Sequence, residues 1–336
     1  MQKHVDPAKG FAPDNAPLLQ VSAEDFRANF NKRSFEFRHR LQDTKLFEID
    51  QLIELADKIL AAGATDRFAA VNYRQANVGT KIGTTPNLGL RETVSKLDQA
   101  GSWVKLSRVQ DFDPKYTAVF DQLLFEMEGL LNQPLRREIT WSTVTIFLAS
   151  PKIATPFHID HESNFLFQLQ GDKDVCLFDP NDRELVNDKE VEAFYLGNAG
   201  AATYKEHLQA RGTVYRLTPG DVVHHPPLAP HWVKNGDNIS VSVSVAFGTK
   251  PLERVARIYQ ANSLLRTFGL APVSPGLSPT KDKIKAAFVS RFENRNPRSY
   301  ADLMFTPVNR LRKPIELAKR VIRRSAQGRG SIKTTV

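Results

Sequence analysis

The chain of 336 residues changes its hydrophobic period twice. Residues 1–20 carry three prolines and no period, an irregular leader. From about residue 22 to 62 the spacing is helical. Ser22 and Asp25 form a capping arrangement ahead of Phe26 and Phe30, and Ile49, Leu52, Ile53, Leu55, Ala56, Ile59 and Leu60 recur along one face. After a turn at Gly63, residues 68–73 read as a strand and residues 79–86 as a Gly- and Thr-rich loop. Two more helices are predicted at 90–100 and 114–131.

From Ile139 the character becomes β-branched and aromatic. Residues 139–147, 164–169, 175–178, 213–217 and 239–247 read as short strands between Gly, Pro and Asp turns. The last, I-S-V-S-V-S-V-A-F, alternates strictly, which predicts a strand with one face buried. Such a series predicts a small antiparallel sandwich or barrel, interrupted by a helical excursion at 188–211. Beyond Gly248 the period is helical again: Leu252, Val255, Ile258, Ala261, Leu264 and Leu265 form a stripe ending near Gly269. A Pro/Ser/Gly hinge follows at 272–279, then helical patches at 281–291 and 314–324. The predicted organisation is a mainly β core with α extensions. Residues 1–136 form a mixed, largely helical region packing on the barrel, 137–250 the β domain, and 251–336 the C-terminal helices and basic tail.

Composition narrows the class. Apolar residues are 41% and aromatic residues 9% of the chain, enough for a sizeable core, so a mainly disordered chain is excluded. The only cysteine, Cys176, can make neither an internal disulfide nor a multi-cysteine zinc site. With no signal-like N-terminus and no apolar run of spanning length, a cytoplasmic protein is expected. The net charge of +9 is local: residues 281–336 hold 15 Lys and Arg against 4 Asp and Glu. A solvated tail is the simplest reading of that segment. An anionic lipid surface, a nucleic-acid backbone or an acidic protein are the partners it would suit. The stripe at 252–265 suits either a two-fold contact between copies or a cover for the outside of the barrel.

The densest chemistry lies in T-P-F-H-I-D-H-E-S-N, residues 155–164. Residues two apart on a strand share a face, so His158 and Asp160 can offer an imidazole and a carboxylate to one ion. His231, in P-G-D-V-V-H-H-P-P-L-A-P-H-W, is the candidate third ligand. Two histidines and one carboxylate leave three positions open, as in non-haem Fe(II) oxygenases. Nearby, His161 should point away from the metal, and His225 is a candidate for orienting a ligand or simply packed. Tyr73, Tyr195 and Tyr204 are possible pocket residues, better read as core.

The stretch T-P-F-H-I-D-x-x-x-N-F-x-x-Q-x-x-G-x-K, followed by P-G-D-V and His231, resembles the JmjC-type, cupin-like branch of the Fe(II)- and 2-oxoglutarate-dependent oxygenases, in its asparaginyl-hydroxylase-like subgroup. The resemblance is sharp over about residues 137–248. S-F-E-F-R-H-R-L, G-S-W-V-K-L and A-P-H-W-V-K-N-G are similar to a bacterial cupin-like set. It implies a double-stranded β-helix (a jelly-roll) with helices packed outside. It makes His158, Asp160 and His231 the iron ligands, sets Lys173 and Thr155 on the distal carboxylate of 2-oxoglutarate, and lines the cosubstrate pocket with Asn164, four residues past Asp160 on the same face. Ser242 and Ser244 stand where relatives often carry an amide. The implied reaction uses O2 to hydroxylate a C–H bond of an unidentified protein, peptide or small molecule, releasing succinate and CO2. Two other readings remain open. One is a metal-binding cupin of another reaction class, which needs no lysine at 173. The other is a non-catalytic regulator acting through its basic tail.

Overall fold

A computed structural model describes residues 16–64, 68–72, 97 and 102–311. Two antiparallel sheets carry the fold. The larger runs in the order β1 (Leu19–Gln20), β2 (Phe35–His39), β10 (Asp221–His225), β7 (Ser163–Gln170), β12 (Ser240–Thr249), β5 (Ile139–Ala149), β4 (Ser102–Ser107), β3 (Phe68–Asn72). The smaller runs β6 (Ala154–His158), β11 (His231–Asn235), β8 (Lys173–Leu177), β9 (Thr213–Leu217).

Strand parity assigns each residue of the large sheet to one of two faces. On the outer face, Val144, Ile146, Leu148, Phe165, Phe167, Val241, Val243, Val245 and Phe247 join one core with Phe26, Leu52, Leu55, Ile59, Leu123 and Met127 from the helices Ala23–Asn29, Ile49–Ala61 and Pro114–Leu131. Two of those helices start at a side-chain cap. The Ser22 side chain accepts the Asp25 N–H, and Asp113 accepts the Lys115 N–H ahead of Pro114 in the first turn. On the inner face a second, smaller core of Leu166, Val175, Leu177, Leu217, Val223 and Ala229 draws on both sheets.

Three sequence expectations change here. Residues 35–39 fall in a stretch read as helical, yet F-E-F-R-H is strand β2, paired to β10 with Phe37 opposite Val222. Five residues are too few for a period to stand out, and pairing to the sheet decides the conformation. Strand β12 was expected to bury one face, but all ten of its residues are buried. It lies between β5 and β7, so its serines face the space between the sheets and not solvent. The excursion at 188–211 is helical only at Asp188–Phe194 and, as a 3-10 turn, at Glu206–Arg211.

The described parts of residues 1–186 and 202–250 form one compact unit, and those of 187–201 and 251–336 a second. Within the second, Ala256, Tyr259 and Ala261 of the helix Lys250–Thr267 are buried. Tyr195 stacks on Tyr259, and Arg257 bonds Glu293 and the carbonyls of Leu303 and Met304. Of the stripe read as a possible dimer face, Ile258 and Ala261 are buried, while Leu252, Val255, Leu264 and Leu265 are half-buried. The predicted loop at 79–86, Tyr73, the 314–324 helix and all of the helix predicted at 90–100 except Leu97 lie outside the described residues. No helix among the described residues is long and apolar enough to cross a membrane.

The β7–β8 hairpin turns on Gly171, whose φ is +68°, a conformation costly for any residue with a Cβ. A Cβ there would also run into the Ile239 carbonyl. Gly171→Ala is therefore expected to lower stability by about 1–3 kcal/mol in urea unfolding.

Candidate metal centre

Strand β11 is the centre of the small sheet, and its register assembles the site. His231 lies opposite His158 on β6 and opposite Leu177 on β8; Asn235 lies opposite Lys173. Cross-strand partners share a face, as do residues two apart along a strand. His158, His231, Val233, Val175 and Lys173 therefore all project from the inner face. Strict alternation would put Thr155, three residues before His158, on the other face. It does not, because β6 is bulged: Val233 pairs with Thr155, so the three-residue step from Thr155 to His158 spans the two-residue step from Val233 to His231. Pro156 sits inside that bulge, on an edge strand where a missing N–H is tolerated.

His158, Asp160 and His231 bring three ligand atoms within 4.8 Å of one another. Asp160 Oδ2 lies 3.7 Å from His158 Nε2 and 3.6 Å from His231 Nε2. The opposite nitrogen of each ring is held by the backbone. His158 Nδ1 donates to the Pro156 carbonyl at 2.7 Å and His231 Nδ1 to the Ala229 carbonyl at 3.0 Å. A carbonyl only accepts, so each Nδ1 carries the proton and each Nε2 keeps its lone pair for a metal. Burial, and then the neighbouring His158, lower the His231 pKa to about 4, which favours the neutral imidazole that ligation requires. The His231 side chain is 4% exposed, while those of His158 and Asp160 are 22% and 35% exposed, so the cluster opens on their side. The turn leading to His231 is fixed by Leu228, at φ +62°, whose N–H donates to the Asp160 carbonyl at 2.8 Å. A left-handed leucine is a strained conformation, here tied directly to a candidate ligand.

Lys173 is buried, and among the described residues no carboxylate lies within ion-pair distance of its Nζ. Burial alone lowers its pKa from 10.5 to about 7. The Thr155 side chain, half-buried on the same face, makes no hydrogen bond to a described residue. Asn164 corrects an expectation. It does not share a face with the metal cluster's strand β6, because the chain passes to β7 of the large sheet after Asp160. Asn164 instead looks across from the opposite wall, next to His225 and Ala246. Its Oδ1 accepts the Ser244 hydroxyl at 2.7 Å.

Further along the same wall Gln168 is saturated: the two hydrogens of its Nε2 are shared among Gln170 O, Gly171 O and Ser240 Oγ, and its Oε1 accepts from Ser242 Oγ. This network was not read from the sequence; the serine alternation on β12 was its visible trace. His161 is buried outside the ligand cluster. Glu162, next to it, has its pKa raised to about 8 by burial and then by Asp160. Tyr195 packs on Tyr259, and Tyr204 lies against Phe157 with its hydroxyl on Gln209, so both serve packing.

No curated protein matches the chain. Among solved structures it is similar to the ribosomal oxygenase YcfD of Escherichia coli, at 13% identity over 83% of this chain and 68% of that one, with a TM-score of 0.46. It is similar also to YcfD in complex with cobalt and 2-oxoglutarate, at 14% identity over 90% of this chain and 68% of that one, with a TM-score of 0.47. A family model described as a cupin-like domain matches residues 27–252. That span runs from the first helix through the last strand of both sheets, with the metal cluster inside it. The chain belongs to the cupin-like domain family.

Proposed function

We propose that the protein is an Fe(II)- and 2-oxoglutarate-dependent dioxygenase that hydroxylates a C–H bond of a protein, peptide or small-molecule substrate. The observation that carries this reading is Lys173. A buried lysine with no described counter-ion, on the same inner face as a two-histidine, one-carboxylate cluster, suits an anion that reaches from the metal to the lysine. Along the strands, Lys173 is four residues from the level of His231, about 13 Å at 3.3 Å per residue. The lysine side chain and a five-carbon diacid together bridge that span. The donor set fits iron: two neutral imidazoles and one carboxylate leave three positions for a chelating oxo acid and O2. A cupin of another reaction class has no need of Lys173.

When bound, the iron and 2-oxoglutarate supply the oxidation of R–H by O2, giving R–OH, succinate and CO2. This chain's residues bind and orient. His158, Asp160 and His231 hold the metal, with their Nδ1 bonds keeping both rings aimed. Lys173 and the Thr155 hydroxyl receive the far carboxylate, and the amide of Asn164 faces the metal-bound end from the opposite wall. The apolar residues Val175, Leu177, Val223 and Leu166 exclude water from the space between the sheets.

Anaerobic addition of Fe(II) and 2-oxoglutarate is expected to give a visible charge-transfer band. Asp160→Ala should abolish it, and Lys173→Ala should weaken 2-oxoglutarate binding about 10- to 100-fold. A bound metal with no band would instead place the protein among non-oxygenase cupins.

The lysine also sets a pH dependence. In the ligand-free fold Lys173 loses its proton near pH 7, whereas the unfolded chain keeps it until about 10.5. Between those values the unfolded state binds more protons, so the stability of the ligand-free protein should gain with pH from this group. The bound dicarboxylate restores the ammonium. Calorimetry at pH 8–9, in buffers of different ionisation enthalpy, should therefore show about one proton taken up per 2-oxoglutarate. The uptake should fade below pH 6 and vanish in Lys173→Met.

A further inference from the structure

Four histidines of the β-sandwich are accounted for bond by bond. His39 accepts the Leu41 N–H on Nδ1 and donates from Nε2 to the Gln168 carbonyl, both at 3.0 Å. His224 accepts the Asn31 N–H on Nε2 and donates from Nδ1 to the Asn164 carbonyl, both at 3.0 Å. His158 and His231 spend Nδ1 on a backbone carbonyl and keep Nε2 for the metal. His225 is 3% exposed, and neither of its ring nitrogens has a hydrogen-bond partner among the described residues. Every imidazole carries at least one N–H, and leaving it unbonded in the interior costs the desolvation of that group.

Its position says what the missing partner is. His225 ends β10, opposite Asn164, so it stands on the wall that faces the metal cluster. Its ring meets His231 edge-on, with centroids 4.6 Å apart. Next to it, Asn164 has committed its Oδ1 to Ser244, while its NH2 makes no bond to a described residue. Two adjacent side chains thus present unspent N–H donors beside the metal ligands. The partner they call for is an oxygen acceptor seated at the metal.

We propose that His225 donates a hydrogen bond to the metal-bound end of the 2-oxo acid, making it a cosubstrate-binding residue with Asn164. This rests on the oxygenase reading above. Lys173 would hold one end of the diacid and His225 the other.

The test uses the full chain under anaerobic conditions, titrating Fe(II) and then 2-oxoglutarate into wild type, His225→Leu, His225→Asn and Lys173→Ala. His225→Leu should bind Fe(II) as wild type does, weaken 2-oxoglutarate binding about tenfold or more, and shift the charge-transfer band. His225→Asn, which restores an N–H donor, should recover part of the affinity. The ligand-free melting temperature of His225→Leu should not fall, because an unbonded polar group has been replaced by an apolar one. If leucine does lower it, His225→Met fills the same volume and takes its place. Wild-type affinity and an unshifted band in the apolar variant would overturn the proposal, leaving a histidine that bonds only water. A wild type that takes up iron without any band would sink the oxygenase reading itself, and this inference with it.

Discussion

The register of β11 between β6 and β8 is the constraint on which the site depends. It sets His231 against His158 on one side and Asn235 against Lys173 on the other, fixing both candidate ligand histidines and the buried lysine on one inner face. A one-residue slip of a strand reverses its faces, which would turn His231 outward and leave its partners behind. What fixes the register is the apolar inner core. Val175, Leu177 and Val233 can be buried against Leu166 and Val223 only when the histidine is also inside. The same packing that stabilises the small sheet therefore aims the ligands.

The large sheet divides its labour by face. Its outer face carries the main core with the N-terminal helices, where Phe165 stacks on Phe26 and His224. Its inner face is lined by Ser240, Ser242, Ser244, Gln168 and Asn164, all buried. Polar groups in such a place weaken a core unless they are bonded. At one end Gln168 and the serines bond each other completely, and the wall is closed. At the other end, among the described residues, His225 has no hydrogen-bond partner and the Asn164 amide has only the bond from Ser244, beside the candidate metal cluster.

The sequence made part of this legible. His158-x-Asp160 and His231 stand out because ligand residue types recur at strand spacing, and the geometry brings them together. The parity rule fails at Thr155, since a bulge leaves no local signature beyond Pro156 on an edge strand. It fails for Asn164 because the count from Asp160 crosses from one sheet to the other, and parity does not survive a crossing. The serines of β12 looked like a solvent face because alternation reports only that two faces differ, not what each one meets. Strands β2 and β4 were hidden in a region read as mostly helical. Their partners are β10 and β5, so their conformation is decided by long-range pairing.

Charge gives an independent reason for a dicarboxylate. A divalent ion on two neutral histidines and one aspartate keeps one net positive charge, and a protonated Lys173 adds a second inside the same enclosed space. Two buried positive charges without counter-charge would be strongly unfavourable, so with the metal in place Lys173 would shed its proton or draw in an anion. A monocarboxylate can neutralise only one of them. A dianion with its charges at opposite ends would neutralise both, each where it arises, which suits a Lys173 set four residues along the strands from the level of His231. The burial that lowers its pKa to about 7 would keep the proposed site from holding a stranded charge until such a ligand arrived.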